Sequence, residues 1–256
     1  LLQEPVYPTI FRPHTSNYIG SWFFKRNQHL LTMSKYFTCR SEDITFKEDE
    51  NYFEISYVYS LSERIDENII VTYRVNKNNG VLNVLSKLSK LETVKEIATF
   101  GLVFAFKTEE LSKYEYLGNG PLDNYPDRLQ GSNLDYYSFD NEFIKNSLAI
   151  NSYANPQEEG NHENTFFIEY KNNSTHLRFF KEDKPFSFKL SSFNDFDIES
   201  AHHNYELTSK GKHYLIIRGF NRGVGGDSSW GADVHEAYRL YTSREYSFSF
   251  NFEFID

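Results

Sequence analysis

Tyr246-Ser247-Phe248-Ser249-Phe250-Asn251-Phe252-Glu253-Phe254 places an aromatic ring at every second position and a polar residue between each pair. Successive side chains of a β-strand point to opposite faces, so this period puts five rings on one face and leaves the other to water. A helix would scatter the same rings around its axis. The pattern recurs in Phe53, Ile55, Tyr57 and Tyr59, in Ile69, Val71, Tyr73 and Val75, and in Phe100, Leu102, Phe104 and Phe106. Between the second and third of these, Asn76-Lys77-Asn78-Asn79-Gly80 reads as a hairpin turn. Two segments depart from it. Phe23, Leu30, Met33 and Phe37 have helical spacing and predict a helix over 22–37 packed on a sheet. Asp195–His203 predicts a short helix with Asn194 or Asp195 as its N-cap. No linker rich in Pro, Gly or Ser divides the chain and no repeat is visible. The economical expectation is one all-β domain over 1–256, a large antiparallel two-sheet sandwich with one or two short helices.

Composition agrees. Aromatics make up 18% of 256 residues, with 24 Phe and 19 Tyr, and aromatic side chains suit pleated, half-buried surfaces. The net charge is -9 and no basic stripe stands out, so nucleic acid is a poor partner. No apolar run reaches the roughly 20 residues of a membrane helix. The single Cys39 rules out an internal disulfide framework and fits a reducing compartment, which predicts a cytoplasmic location. No signal peptide is visible. The chain opens at Leu1-Leu2-Gln3-Glu4 without an initiator Met, like an excised or truncated piece, so that absence carries little.

Two motifs carry most of the chemistry. The first is Tyr116-Leu117-Gly118-Asn119-Gly120-Pro121-Leu122-Asp123-Asn124-Tyr125-Pro126-Asp127-Arg128. Gly118 and Gly120 permit positive φ, Pro121 stiffens the turn, and Asp127 can pair with Arg128 or with backbone amides. This reads as a scaffold corner. The second is Gly223-Val224-Gly225-Gly226-Asp227-Ser228-Ser229-Trp230-Gly231. Its glycines let the backbone fold tightly, leaving Trp230 either at a pocket edge, as a flat apolar platform for a sugar, or in the core. Adjacent His202 and His203 would point about 100° apart on a helix, a poor arrangement for one metal ion, and core or cleft-lining roles fit them better.

In this order the two motifs resemble the bacterial β-galactosidases, and within them the C-terminal domain that two-chain enzymes carry as a separate small chain. Tyr7-Pro8-Thr9-Ile10-Phe11-Arg12-Pro13-His14-Thr15-Ser16-Asn17-Tyr18-Ile19-Gly20 is similar to the family's Trp-Arg-Ala-Pro-Thr-Asp-Asn-Asp-x-Gly, with Arg12, Asn17 and Gly20 matching and Ser16 and Tyr18 standing where Asp is usual. Pro156-Gln157-Glu158-Glu159-Gly160-Asn161 resembles its Pro-Gln-Glu-x-Gly-Asn. The resemblance implies a supersandwich shared with sugar mutarotases, and a place in a retaining hydrolase of terminal β-D-galactosides such as lactose. It implies that Trp230 and Asp227 contact substrate and that Asn17 and Gly20 belong to a loop beside the active site. Gly118, Gly120, Asn124, Tyr125, Asp127 and Arg128 take the structural role. The catalytic carboxylates of the family lie outside this region, in a large part that also holds its Mg²⁺ and Na⁺, so this chain is expected to bind no cofactor and to be inactive alone. Two rivals remain: a mutarotase-like epimerase using His176 or His202 with Glu158 or Glu206, and a non-catalytic carbohydrate-binding or assembly module.

Overall fold

The computed structural model describes residues 2–18, 22–64, 66–107, 113–140, 153, 155–172, 175–228 and 232–255; of Tyr18, Trp22, Phe24, Lys25 and Arg26 it describes the backbone alone. Two antiparallel sheets face each other. The smaller runs in the order β1 (Tyr7–Thr9), β6 (Thr99–Lys107), β13 (Lys212–Asn221), β12 (Phe186–Ser191) and β9 (Asn161–Thr165). The larger has nine strands: β2 (Ile44–Glu48), β3 (Tyr52–Ser60), β4 (Asn68–Asn76), β5 (Leu82–Leu88), β14 (Tyr246–Phe254), β11 (His176–Lys181), β10 (Phe167–Lys171), β7 (Lys113–Gly120) and β8 (Asn133–Phe139).

All four strands expected from alternation are present. In β14 Tyr246 and Phe250 are buried, and Phe248 meets Phe100 of the opposite sheet edge-on at 5.1 Å. Phe104 packs on both Phe179 and Phe250, and one apolar cluster joins the two inner faces. The Asn76–Gly80 turn closes as expected, with Gly80 at φ +72°, but it joins β4 to β5, a strand that the aromatic pattern does not announce. Its inward row is Leu82, Val84, Ser86 and Leu88, and the fully buried Ser86 breaks the apolar period.

The five-stranded sheet is covered on both faces. Phe100, Leu102, Phe104 and Phe106 of β6 face the sandwich core, while Val103 and Ala105 pack outward with Tyr214, Ile216 and Tyr7. Helix α1 (Trp22–Lys35) forms where spacing predicts it. It buries Phe23, Leu30 and Met33 beside Ile10 and Phe11, and its buried Asn27 donates to the Arg12 carbonyl at 3.1 Å. Helix α2 (Asp195–Ser200) ends three residues before the expected His203, and Asn194 is its N-cap, accepting from the Phe196 amide at 2.8 Å. Beyond it His202 and His203 are exposed, which corrects the expectation of a core or cleft-lining position. Phe46 is 61% exposed on β2, an edge strand of the larger sheet.

Candidate functional site

Four separate stretches of sequence converge at one end of the five-stranded sheet: Arg12–Asn17, the Gly118–Arg128 corner, Gln157–Asn161 and the 222–228 loop. They meet through backbone groups outside the sheet ladders, satisfied in part by each other and in part by side chains. Gln157 Oε1 accepts from the Ser16 amide at 2.9 Å, and the Glu158 amide donates to the His14 carbonyl at 3.1 Å. Buried Arg12 donates to Asn221 Oδ1 at 2.7 Å and to the carbonyls of Arg222 and Gly223, with its guanidinium 5.6 Å from the Tyr125 ring centre. Asn17 Nδ2 donates to the Val224 carbonyl at 2.5 Å. Asp127 accepts from the amides of Val224, at 3.0 Å, and Gly225, at 2.7 Å. Of the two partnerships open to Asp127, the backbone amides are the one adopted.

The corner glycines act differently from expectation. Neither Gly118 nor Gly120 has positive φ. Each is instead a point of close approach: a Cβ on Gly118 would lie 2.8 Å from Thr165 Oγ1, and one on Gly120 2.3 Å from the Tyr116 hydroxyl. Asn124 then binds the corner to β9. Its amide donates to the Asn161 carbonyl at 2.7 Å, and its Oδ1 accepts from the Glu163 amide at 2.8 Å.

Beneath the junction lies a sealed set of charges. Glu158 accepts from Lys189 at 2.7 Å and Arg218 at 2.6 Å, and all three side chains are almost fully buried. Lys189 also donates to Asp195 at 2.7 Å, whereas Arg218 stands 3.6 Å from it. The asymmetry sets their proton affinities. Burial raises the pKa of both carboxyls. For Glu158 the contacts with Arg218 and Lys189, with Arg12 nearby, outweigh burial and hold it down at about 2. Asp195 has one short partner and the Glu158 charge beside it, and burial leaves it raised. Sequence reasoning overlooked Lys189 and Arg218, and saw Asp195 only as a possible N-cap. The available signal was a cation interrupting an apolar strand, Phe188-Lys189-Leu190 and Ile216-Ile217-Arg218, because a charge is buried only when paired.

Above this network opens a cleft of about 370 Å³, lined by Thr15, Ser16, Asn17, Gln157 and Ser228 among its neutral polar groups, by Tyr125 and Tyr153, and by exposed Arg128. Burial pushes the Tyr125 hydroxyl well above its ordinary pKa, so it stays protonated. Neutral donors and acceptors beside aromatic faces suit a hydroxyl-rich ligand or a polar polypeptide loop. Among the described lining residues the one carboxylate is Glu158, immobilised between two cations. That is unsuited to acid–base catalysis, which needs a carboxyl able to exchange its proton near working pH. Nor do the epimerase pairs assemble: His176 is held by Glu169 on the outer face of the nine-stranded sheet, and Glu206 is engaged with the His202 amide and the His203 ring on the surface. Among the described residues no group of three His, Cys, Asp or Glu could hold a metal ion.

Asp227 is not among the residues lining the cleft; it is exposed and its Oδ1 lies 2.7 Å from His235 Nε2. Gly20 and Trp230 lie outside the described residues. No described helix is long and apolar enough to cross a membrane.

Fold and site together define an all-β sandwich with a polar cleft whose one carboxylate among the described lining residues is held between two cations. The chain belongs to the β-galactosidase small chain family, whose pattern matches residues 1–252. A β-galactosidase of Streptococcus thermophilus is 30% identical over 212 residues, covering 82% of this chain and 20% of that protein. A β-galactosidase small subunit of Latilactobacillus sakei is 24% identical and covers 96% of this chain and 84% of that one. Of the first full-length relatives, the chain thus spans only about a fifth to a quarter. Among solved structures, a galactose mutarotase related enzyme from Lactobacillus acidophilus aligns at a TM-score of 0.42 and 9% identity, covering 87% of this chain and 72% of that one.

Proposed function

We propose that this chain completes the active site of a retaining β-galactosidase whose catalytic carboxylates lie in a large part, either a separate chain or the same polypeptide. The observation that carries the reading is the convergence of all four family-like motifs on one cleft whose only described carboxylate is salt-locked. Retaining hydrolysis needs a nucleophile and an acid/base about 5–5.5 Å apart. In this proposal both come from the large part, together with the Mg²⁺ and Na⁺ sites. This chain contributes Trp230 as an apolar platform for a terminal β-D-galactoside such as lactose, and the segment from Asn17 to Gly20 as a loop beside it. The lone Cys39 fits a cytoplasmic setting. The purified chain, assayed with a chromogenic galactoside, is expected to be inactive and to gain activity when it co-elutes with the large part on size exclusion. Turnover by the chain alone at ordinary enzyme rates, of order 1–1000 per second, would overturn the reading.

A further inference from the structure

We propose that Asp127 is a positioning residue for galactoside binding, acting through the loop that carries Trp230. This rests on the reading of Trp230 given above. The base of that loop forms no ladder, and distant side chains hold its backbone. Val224 is gripped at both ends: its N–H donates to Asp127 and its carbonyl accepts from Asn17. The second oxygen of Asp127 takes the Gly225 N–H. A carboxylate facing two successive amides uses both oxygens as acceptors. The turn from Tyr125 to Arg128, closed by the Arg128 amide on the Tyr125 carbonyl at 2.8 Å, presents it, and buried Tyr125 anchors the turn.

The fit is tight from the loop side as well. A Cβ on Gly223 would stand 2.5 Å from Asp127 Oδ2, so only glycine admits the carboxylate there. A Cβ on Gly226 would stand 2.4 Å from the Ala232 carbonyl oxygen. The two limbs of the loop therefore touch where Gly226 meets Ala232, and residues 227–231 lie between these two positions in the sequence. Asp127 fixes the root of that stretch to the corner.

Asp127→Asn is the diagnostic change. It keeps the size but turns one acceptor into an N–H that faces another N–H. The chain has two tryptophans, so in a Trp22→Phe background Trp230 is the only indole. There, Asp127→Asn is expected to change the emission of Trp230 and its quenching by acrylamide while the melting temperature of the chain stays close to its parent's. In the assembled enzyme, losing these charge-assisted bonds is expected to raise KM by about 3- to 30-fold with little change in kcat. The same change made on top of Trp230→Ala is expected to add almost nothing. If Asp127→Asn itself melts early, Gly223→Ala, which displaces the carboxylate from the other side, is expected to give the same spectroscopic and KM effects. Unchanged Trp230 emission and quenching, or KM effects that multiply in the double variant, would overturn the role of Asp127. A Trp230→Ala enzyme with unchanged KM would instead remove the galactoside role of the loop, and that result is separate from the fluorescence.

Discussion

On the five-stranded sheet Lys189 and Arg218 point away from the sandwich core, and on the nine-stranded sheet Glu115, Glu169, Lys171 and Arg178 do the same. The first set is covered by the motif segments, with Lys189 1% and Arg218 0% exposed at the side chain. The second is open to water at its cations, with Lys171 37% and Arg178 40% exposed, while Glu115 and Glu169 lie beneath them at 8%. Like chemistry thus serves different ends. Sealed ions have lost their hydration and must keep every partner, so they impose one arrangement on the segments above them. Exposed ions exchange water for one another at almost no net gain and tolerate rearrangement. The polar cleft stands over the sealed set, where a fixed geometry is available.

Removing one sealed cation is the strongest way to break this contrast. Lys189→Met leaves Asp195 with only a distant cation and Glu158 with Arg218 alone. We expect a loss of about 3–5 kcal/mol in urea unfolding. A loss under about 1 kcal/mol would mean that the network is as tolerant as an exposed one.

Next in size is Trp230→Ala in the assembled enzyme. Losing an apolar platform costs roughly 1–3 kcal/mol, which is about a 5- to 150-fold rise in KM. The effect on kcat should be smaller, because binding is lost from ground and transition states alike. An unchanged KM with a collapsed melting temperature would instead assign the indole to the core.

The open ladder predicts a smaller, pH-dependent effect. Burial tends to raise Glu115, but hydrogen bonds from Lys113, Lys171 and Tyr136 outweigh it and bring it to about 2. Lys171, His176 and Arg178 do the same for Glu169, also to about 2. The unfolded value is about 4.3, so their stabilisation is complete above that pH and is lost as the pH falls from there towards 2. Glu115→Gln should cost about 1 kcal/mol at pH 7, and the gap between variant and parent should close in acid. Parallel stability curves across that window would show that Glu115 is not titrating there.

Cys39→Ser should do least. The thiol is half-buried, and burial raises its pKa, with Asp43 adding to the effect, which makes it a poor nucleophile. Activity of the assembled enzyme should be retained, with stability within about 0.5 kcal/mol. A loss of activity with the fold intact would reveal a role for the thiol.

How much could be read in advance depended on whether a pattern was local. Tyr246–Phe254 declares its strand because every second residue enters one core. Helix α1 follows from Phe23, Leu30 and Met33 for the same reason. Strand β5 escaped because Ser86 occupies a core position. The corner could be recognised as a scaffold, yet the physical need of Gly118 and Gly120 was misjudged. Their constraint comes from Thr165 and Tyr116 pressing on the backbone, and close approach leaves no mark on φ. The pairing of Lys189 and Arg218 with Glu158 joins two strands and a loop far apart in sequence, and no periodicity reports such a contact.

The meeting of Gly223 with the Asp127 carboxylate also constrains how this protein can be varied. The two positions share one small volume, so neither can be randomised profitably while the other is held. A library that diversifies the tryptophan-bearing loop alone would discard almost every side chain at position 223, and would make the loop look intolerant when the obstacle is across the cleft. Varying 127 and 223 together, with shorter or neutral residues at 127 opposite larger ones at 223, opens combinations that single-site scans cannot reach.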